Sequence, residues 1–222
     1  MMPGGMPAAL RRLPSRLDGW YGPPRTFSYQ REVQPVFDQH CVRCHDYGED
    51  AGEKLNLAGD LDLVFNTSYN ELWRKKIINA IGAGPAQIQQ PYTWGSHASK
   101  LLEVIGQPHH DVALDQESLD RIVTWIDINA PYYPEYASAY PDNLAGRSPL
   151  DNAQIARLTA LTGVPFAELM AFNKNTGPQI TFNRPELSPC LATLRARNPQ
   201  HYAEALAIVR AGREMLQRQP PA

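Results

Sequence analysis

Apolar residues recur along this chain mainly at the three- and four-residue spacing that places them on one face of an α-helix. Between residues 27 and 137 this pattern predicts a series of helices. They begin at Phe27, run over residues 70–81, follow Ser99 as far as Gly106, and extend from a cap at Asp115 to a stop at Pro131. The fold class is therefore predicted to be mainly α.

A second helical region is predicted from residue 138 to the end of the chain. Ser148 is expected to cap a helix with Pro149 in its first position, and Asn198 with Pro199 to start the last helix. Part of this region has a superficial similarity to a helix-turn-helix, but it lacks a basic face, so DNA binding is not favoured. The predicted organisation is an extension or linker over 1–26, a helical domain over 27–137 and a helical C-terminal region over 138–222.

The residues with the clearest chemistry are 41–45, which read Cys-Val-Arg-Cys-His. C-x-x-C-H is the attachment motif of a c-type haem. In that role Cys41 and Cys44 add to the two vinyl groups of one haem, and their spacing places both sulfurs on one side of a helical turn. His45 follows directly, so that it can bind the iron as the proximal ligand. The motif therefore predicts one covalent haem c.

Three other interpretations of the two cysteines are weaker. A structural zinc site needs two further ligands, and the remaining cysteine, Cys190, is distant and has no paired Cys or His. A thioredoxin-type dithiol needs a surrounding βαβ pattern, and none is visible. Two buried structural cysteines would leave the adjacent His45 unexplained. The acidic loop after the motif lacks the EF-hand order of ligands, so a solvated loop is expected there instead of a calcium site.

The second axial ligand of a haem iron is usually Met or His. No methionine lies between Met6 and Met170, so a Met ligand within 27–137 is not expected. The order of helix, motif, loops and final helix resembles that of small mono-haem cytochromes, which present their distal ligand just before the final helix. We therefore expect His109 as the distal ligand, with His110 and then His97 as alternatives. An open iron, or a Tyr or Lys ligand, is the remaining alternative.

Composition limits the classes of partner and the location. The formal net charge is −2, which indicates no nucleic-acid or anionic-membrane surface. No apolar run reaches the roughly 20 residues of a membrane helix. The N-terminal residues contain no continuous apolar stretch of the signal-peptide type. Because covalent haem c is assembled outside the cytoplasmic membrane, we predict a periplasmic or extracellular location, and either a piece of a longer exported protein or a mis-assigned start.

Several stretches resemble one family of cytochrome-containing proteins of planctomycete and verrucomicrobial type, similar to the hydrazine synthase alpha subunit. They are REVQPVFDQHCVRCHDYG, LNLAGDLDLVFNTSY, IGAGPAQIQQPYTWGSHASKL, HHDVALDQESLDRIVTWIDINAPYYPEY and ITFNRPELSPCL. The resemblance implies a small cytochrome c-like domain whose first and last helices cross beside the haem. It implies thioethers at Cys41 and Cys44, the motif histidine at His45 and the distal ligand at His109. In this group a tyrosine near the motif can replace the histidine, which makes Tyr47 a further candidate.

The sequence thus favours an electron-transfer module with one haem and bis-histidine ligation, exchanging electrons with unidentified redox partner proteins, inside a larger protein or complex. Two His ligands close the iron to substrates, which favours a carrier over a catalyst. A haem enzyme subunit acting on small nitrogen compounds, of the hydrazine synthase kind, is the alternative. A structural or binding module stabilised by haem is the third hypothesis.

Overall fold

The computed structural model describes residues 11, 13, 19–81, 88–168 and 177–220. Across these residues it contains α-helices, short 3-10 helices and turns, without a β-strand. The α-helices are α1 (Tyr29–Glu32), α2 (Gln34–His40), α3 (Asp50–Lys54), α4 (Thr67–Arg74), α5 (Lys100–Ile105), α6 (Gln116–Asp127), α7 (Asn152–Thr162), α8 (Pro189–Arg197) and α9 (Pro199–Arg218). The 3-10 helices span Ser96–Ala98, Leu144–Gly146, Phe166–Glu168 and Pro185–Leu187. The prediction of a mainly α fold is confirmed.

The apolar side chains form two core clusters. The first is built from α1, α2, α4, α6 and the loops between them, around the fully buried Tyr29 and Trp125. The second is built from α7, α8 and α9 around Phe182 and Leu158, and it also takes Leu63 from the loop that follows the Cys-x-x-Cys-His motif. The predicted boundary near residue 137 stays a prediction, and residues before it contribute to both cores.

The first helix is divided, and a proline explains the division. The pattern from Phe27 predicts one helix, whereas α1 ends at Glu32 and α2 begins at Gln34. Pro35 has no N–H group and cannot make the backbone hydrogen bond of a helix interior, so it occupies the first turn of a new helix. The division directs α2 towards the motif.

Two helix starts in the sequence interpretation differ from the structure. The helix predicted over 70–81 is Thr67–Arg74. It starts earlier because the Asn66 side chain accepts a hydrogen bond from the Tyr69 N–H group and caps it, and it also ends earlier than predicted, at Arg74. The predicted cap at Ser148, with Pro149 in the first position, is wrong. Asp151 caps α7 in a capping box with Gln154, so the helix starts three residues later.

The predicted starts of α6 and α9 are confirmed, whereas α6 ends at Asp127, before the predicted stop at Pro131, and Ser99 makes no side-chain cap. The Asp115 carboxylate accepts from the Ser118 N–H group and caps α6, and the Asn198 side chain caps α9 through the His201 N–H group. Ser99 lies at the N-cap position of α5, but its hydroxyl donates to the carbonyl of Gly95. Cys190 is buried in the second core, as expected. The predicted helical stretch after Phe166 lies partly outside the described residues.

The loop after the motif is not a simple solvated loop, which corrects that expectation. It contains α3 and then turns inward, so that Leu57 is 3% exposed and Asp60 is 6% exposed. A buried carboxylate needs a charged or hydrogen-bonding partner. The partner of Asp60 is Arg184, which lies far away in the sequence.

Residues 20–25, within the predicted extension, contact the first core. The Tyr21 hydroxyl donates to Asp120 on α6, 2.7 Å away. The Arg25 guanidinium binds Glu32, which is 2% exposed and also binds Arg121 of α6. One buried carboxylate therefore joins the N-terminal segment, α1 and α6. None of the described helices is long and apolar enough to cross a membrane.

Replacement of Glu32 by Gln should lower the free energy of unfolding by about 2 kcal/mol at pH 7, since Arg25 and Arg121 lose their shared buried carboxylate. Hydrogen bonding from Arg25 is the main cause that lowers the pKa of Glu32 below its ordinary value of 4.5. The carboxylate therefore stabilises the fold above that pH and loses its effect as the pH falls through the folded-state pKa. Urea unfolding at pH 7, 5 and 3 measures this.

Glu117→Gln is the matched control. Glu117 pairs with the same Arg121 from an exposed position, so its replacement should cost less than about 0.5 kcal/mol. The expected role of Glu32 would be contradicted if the two variants lost equal free energies of unfolding. It would also be contradicted if the difference in unfolding free energy between Glu32→Gln and the unchanged protein were as large at pH 3 as at pH 7.

Candidate functional site

The Cys-x-x-Cys-His motif forms a turn that continues directly from α2. The Cys41 N–H group donates to the Phe37 carbonyl at 2.8 Å, and the N–H groups of Cys44 and His45 donate to the Cys41 carbonyl at 3.1 and 3.0 Å. Cys41 is half-buried against the first core and Cys44 is exposed. The turn thus holds two free thiols and an imidazole within five residues.

The ring of His45 is oriented by a backbone carbonyl. Its Nδ1 atom lies 2.8 Å from the carbonyl oxygen of Leu55. A carbonyl only accepts, so Nδ1 carries the proton of this hydrogen bond, and in the neutral imidazole the lone pair is on Nε2. The Leu57 N–H group donates to the His45 carbonyl at 2.8 Å, so residues 55–57 hold both the ring and the backbone of His45. A carbonyl on the second ring nitrogen is the usual orienting partner of a metal-binding histidine.

His109 is the histidine that approaches His45. It lies in the loop between α5 and α6, and the two ring centroids are 6.2 Å apart with an angle of 26° between the ring planes. Imidazoles that bind one metal ion from opposite sides have their ring centres about 6 Å apart, since each metal–nitrogen bond is about 2 Å long. The distance between His45 and His109 matches that separation.

A turn with unusual backbone angles presents His109. The next two residues, His110 and Asp111, have φ values of +48° and +61°, in the left-handed region. Outside glycine this region is uncommon and costs of order 1 kcal/mol per residue. The Val112 N–H group closes the turn by donating to the His109 carbonyl at 2.9 Å. The turn separates the half-buried His109 from the exposed His110, although their rings stay 4.9 Å apart.

The other two candidate ligands have different neighbours. His97 is exposed and its ring lies 5.2 Å from that of Tyr92. The Tyr47 hydroxyl pairs with the Thr67 hydroxyl at 2.9 Å, and the Arg184 guanidinium lies over its ring. Burial raises the pKa of Tyr47, which makes the phenolate, the iron-binding form, harder to produce.

Two partly buried apolar residues that pack against the first core adjoin the site: Cys41 of the motif, and Leu55, whose carbonyl contacts the His45 ring. The same core carries other partly buried apolar side chains, among them Trp73, Ile77, Ala80, Leu102, Ile105 and Leu114. The buried Nε2 atom of His40, next to Cys41, has no hydrogen-bond partner among the described residues. Two thiols, two imidazoles whose centroids are 6.2 Å apart and an unpartnered buried nitrogen, beside partly buried apolar side chains, are a donor set that fits a covalent haem.

The alternatives to haem fit less well. Cys190, which a zinc site would need, is buried in the second core. Within the described ranges, no group of three or more His, Cys, Asp or Glu side chains could hold a metal ion. A porphyrin brings four nitrogens of its own, so two protein ligands suffice for its iron. Burial, and then the neighbouring Cys44, raise the pKa of Cys41 to about 11, opposite to the low thiol pKa of reactive dithiols.

The described fold thus defines a mainly α-helical protein with a Cys-x-x-Cys-His turn and a second histidine ring, that of His109, close to the ring of His45. Comparison with known proteins shows similarity to "Hydrazine synthase subunit alpha" of Kuenenia stuttgartiensis, at 29% identity over 142 aligned positions. The match covers 50% of this chain and 17% of that protein. No family model matches the chain, and no solved structure matches it. The resemblance to hydrazine synthase alpha is therefore confirmed as a partial similarity.

Two features of the site were not identified from the sequence. One is the Leu55 carbonyl that orients His45, since a backbone partner leaves no trace in residue type. The other is Arg184, which binds Asp46 immediately after the motif and lowers the pKa of that carboxyl group. The acidic residues of the loop were the available signal, but their partner lies 138 residues further along the chain.

Proposed function

We propose that this chain is an electron-transfer module of the c-type cytochrome class, with one covalent haem attached at Cys41 and Cys44. His45 is the proximal and His109 the distal iron ligand. The observation that carries the proposal is the approach of the two imidazoles to 6.2 Å, with the Nδ1 atom of His45 held by a carbonyl. Of the candidate histidines, His109 is the one in ring contact with His45.

When bound, the haem supplies an iron centre that takes up and releases one electron. The protein residues determine how it does so. His45 and His109 would be the two protein ligands of the iron and would leave no position open to a substrate, and the Leu55 carbonyl holds the Nδ1 atom of His45 so that Nε2 would be the binding nitrogen. Partly buried apolar side chains of the first core, Cys41 and Leu55 among them, would exclude water from part of the ring and lower the local dielectric constant there. These are the properties of an electron carrier.

The second candidate function is that of a haem enzyme subunit acting on small nitrogen compounds. It is favoured by the printed name of the similar protein, a hydrazine synthase alpha subunit. The match spans 17% of that protein, so its activity does not carry over with the similarity. The third hypothesis, haem as a structural support within a binding module, predicts that partner binding needs the haem but not its reduction.

Absorption and electron paramagnetic resonance spectra distinguish the carrier from the enzyme. In protein matured by a haem c assembly system, we expect a six-coordinate low-spin ferric haem that is reversibly reduced by one electron. Hydroxylamine and nitric oxide should leave the ferric spectrum unchanged, because both axial positions are occupied. A high-spin ferric haem that binds these compounds would contradict the carrier and favour the enzyme.

Covalent haem c implies maturation outside the cytoplasmic membrane, so we propose a periplasmic or extracellular location. The electron donors and acceptors are redox partner proteins, and the module is part of a larger protein or complex.

A further inference from the structure

The orientation of His45 depends on the loop that follows it. The carbonyl that fixes the His45 ring belongs to Leu55, and the N–H group that binds the His45 carbonyl belongs to Leu57. Both lie in residues 46–60, which we call the clasp loop. The position of this loop therefore sets two of the hydrogen bonds of His45, one at the ring and one at the backbone.

One guanidinium joins the two ends of the clasp loop. At one end, Arg184 donates from Nη1 and Nη2 to the two carboxylate oxygens of Asp46, at 2.7 and 2.6 Å. At the other end it donates from Nε and Nη2 to Asp60, at 2.8 and 2.5 Å. Only the planar, forked donor set of arginine can bind two carboxylates in this way. Arg184 therefore closes the clasp loop in the manner of a cross-link.

Arg184 is itself fixed in the C-terminal region. Its N–H group donates to the Thr181 hydroxyl, which donates to Asp60 at 2.6 Å. The neighbouring Phe182 N–H group donates to the carbonyl of Leu61 at 2.8 Å. Thr181 and Phe182 are both fully buried. The guanidinium thus transmits the position of the second core to the segment that orients His45.

We propose that Arg184 is a positioning residue for His45, and that the C-terminal region serves as the support of the proximal side of the site. This inference rests on the proposed function in so far as His45 is an iron ligand. Arg184 acts through Asp46, Asp60 and the clasp loop. Its proposed role requires no direct contact with the haem. A loosened clasp loop weakens the bond between His45 and the metal.

The test compares Arg184→Gln, Arg184→Lys and the control Arg157→Gln. Arg157 lies in the same region and forms an exposed pair with Glu204, away from the clasp loop. Stopped-flow measurement of carbon monoxide binding to the ferrous protein reports how readily an axial histidine leaves. We expect Arg184→Gln to bind about tenfold faster than the unchanged protein, as for other outer partners of metal ligands. Arg184→Lys should lie between them, and Arg157→Gln should match the unchanged protein.

A second measurement uses the haem-free protein. Hydrogen exchange at the Leu57 amide, which binds the His45 carbonyl, should become faster in Arg184→Gln while the amides of α9 keep their protection. If the unchanged protein holds no haem, the proposed function fails, and this exchange result still decides the role of Arg184. Unchanged carbon monoxide binding and unchanged Leu57 exchange in Arg184→Gln would overturn the inference.

The lysine variant separates positioning from charge. A single ammonium group keeps the positive charge but cannot bind both carboxylates in the forked manner. An Arg184→Lys variant equal to the unchanged protein in both measurements would show that charge alone matters, and would overturn the inference. Should Arg184→Gln fail to fold, Arg184→Lys with faster carbon monoxide binding at an unchanged unfolding midpoint would support it.

Discussion

Haem released by acid-acetone is the expected result when Cys41 and Cys44 are both replaced by alanine. The two thioethers are the only covalent bonds between haem and chain that the motif provides, so the change should be from complete retention to complete release. The unchanged protein, matured in the same assembly system, should keep its haem through the same extraction. Haem staining after denaturing electrophoresis measures the retained fraction.

Cys190→Ala is the matched control for this experiment. Cys190 is 6% exposed in the second core, so the variant removes a thiol without touching the motif. It should retain covalent haem and lose only the small stability of one buried side chain, of the order of 1 kcal/mol. Extraction of intact haem from the unchanged protein would refute covalent attachment.

Conversion of the ferric iron from low-spin to high-spin is the second large effect, and we expect it in His109→Ala. Removal of the ligand opens one coordination position. Added imidazole should bind there and restore the low-spin spectrum. The unchanged protein should also lack the weak band near the red edge of the visible spectrum that Met sulfur gives, because the described residues near His45 present an imidazole.

Single replacements of the neighbouring histidines serve as controls. His97→Ala should stay low-spin, since its ring contacts Tyr92. His110→Ala should also stay low-spin, since His110 lies on the exposed side of the turn. If His110→Ala or His97→Ala alone becomes high-spin, His109 is the wrong choice. In a single variant, His109 and His110 could replace one another as the iron ligand, and the double variant His109→Ala/His110→Ala removes that possibility. A low-spin spectrum of the double variant would reject bis-histidine ligation by this turn.

These experiments also bear on the similarity to hydrazine synthase alpha. An iron closed by two histidines would indicate that the segment of this chain similar to hydrazine synthase alpha carries electrons and does not bind substrate. An iron that is open in the unchanged protein would instead favour chemistry on small nitrogen compounds. The 29% identity over half of this chain is compatible with both, so the axial ligands decide.

The sequence by itself determined the features that depend on local spacing. The five residues from Cys41 to His45 are adjacent, so the prediction of a haem attachment site rests on residue type and order alone. The mainly α fold followed from the apolar period, and the caps at Asp115 and Asn198 from the preference of short polar side chains for the first turn of a helix.

Local spacing did not suffice where two polar residues competed for one role. Ser148 and Asp151 both suit an N-cap, but the Ser148 hydroxyl accepts a hydrogen bond from the Leu150 N–H group, before α7 begins, and Asp151 caps the helix. His109 and His110 are likewise indistinguishable by composition. The left-handed backbone angles of His110 and Asp111 decide which of the two rings approaches His45.

Only the tertiary structure decided how the site is supported. Asp46 and Asp60 read as residues of a solvated acidic loop, because their partner is more than 120 positions away in the sequence. Folding of the second core brings Arg184 to both carboxylates and makes their burial favourable, since a buried charge is tolerated when it is paired. A contact between residues so far apart is set by the packing of whole helices, which no local pattern of residue types records.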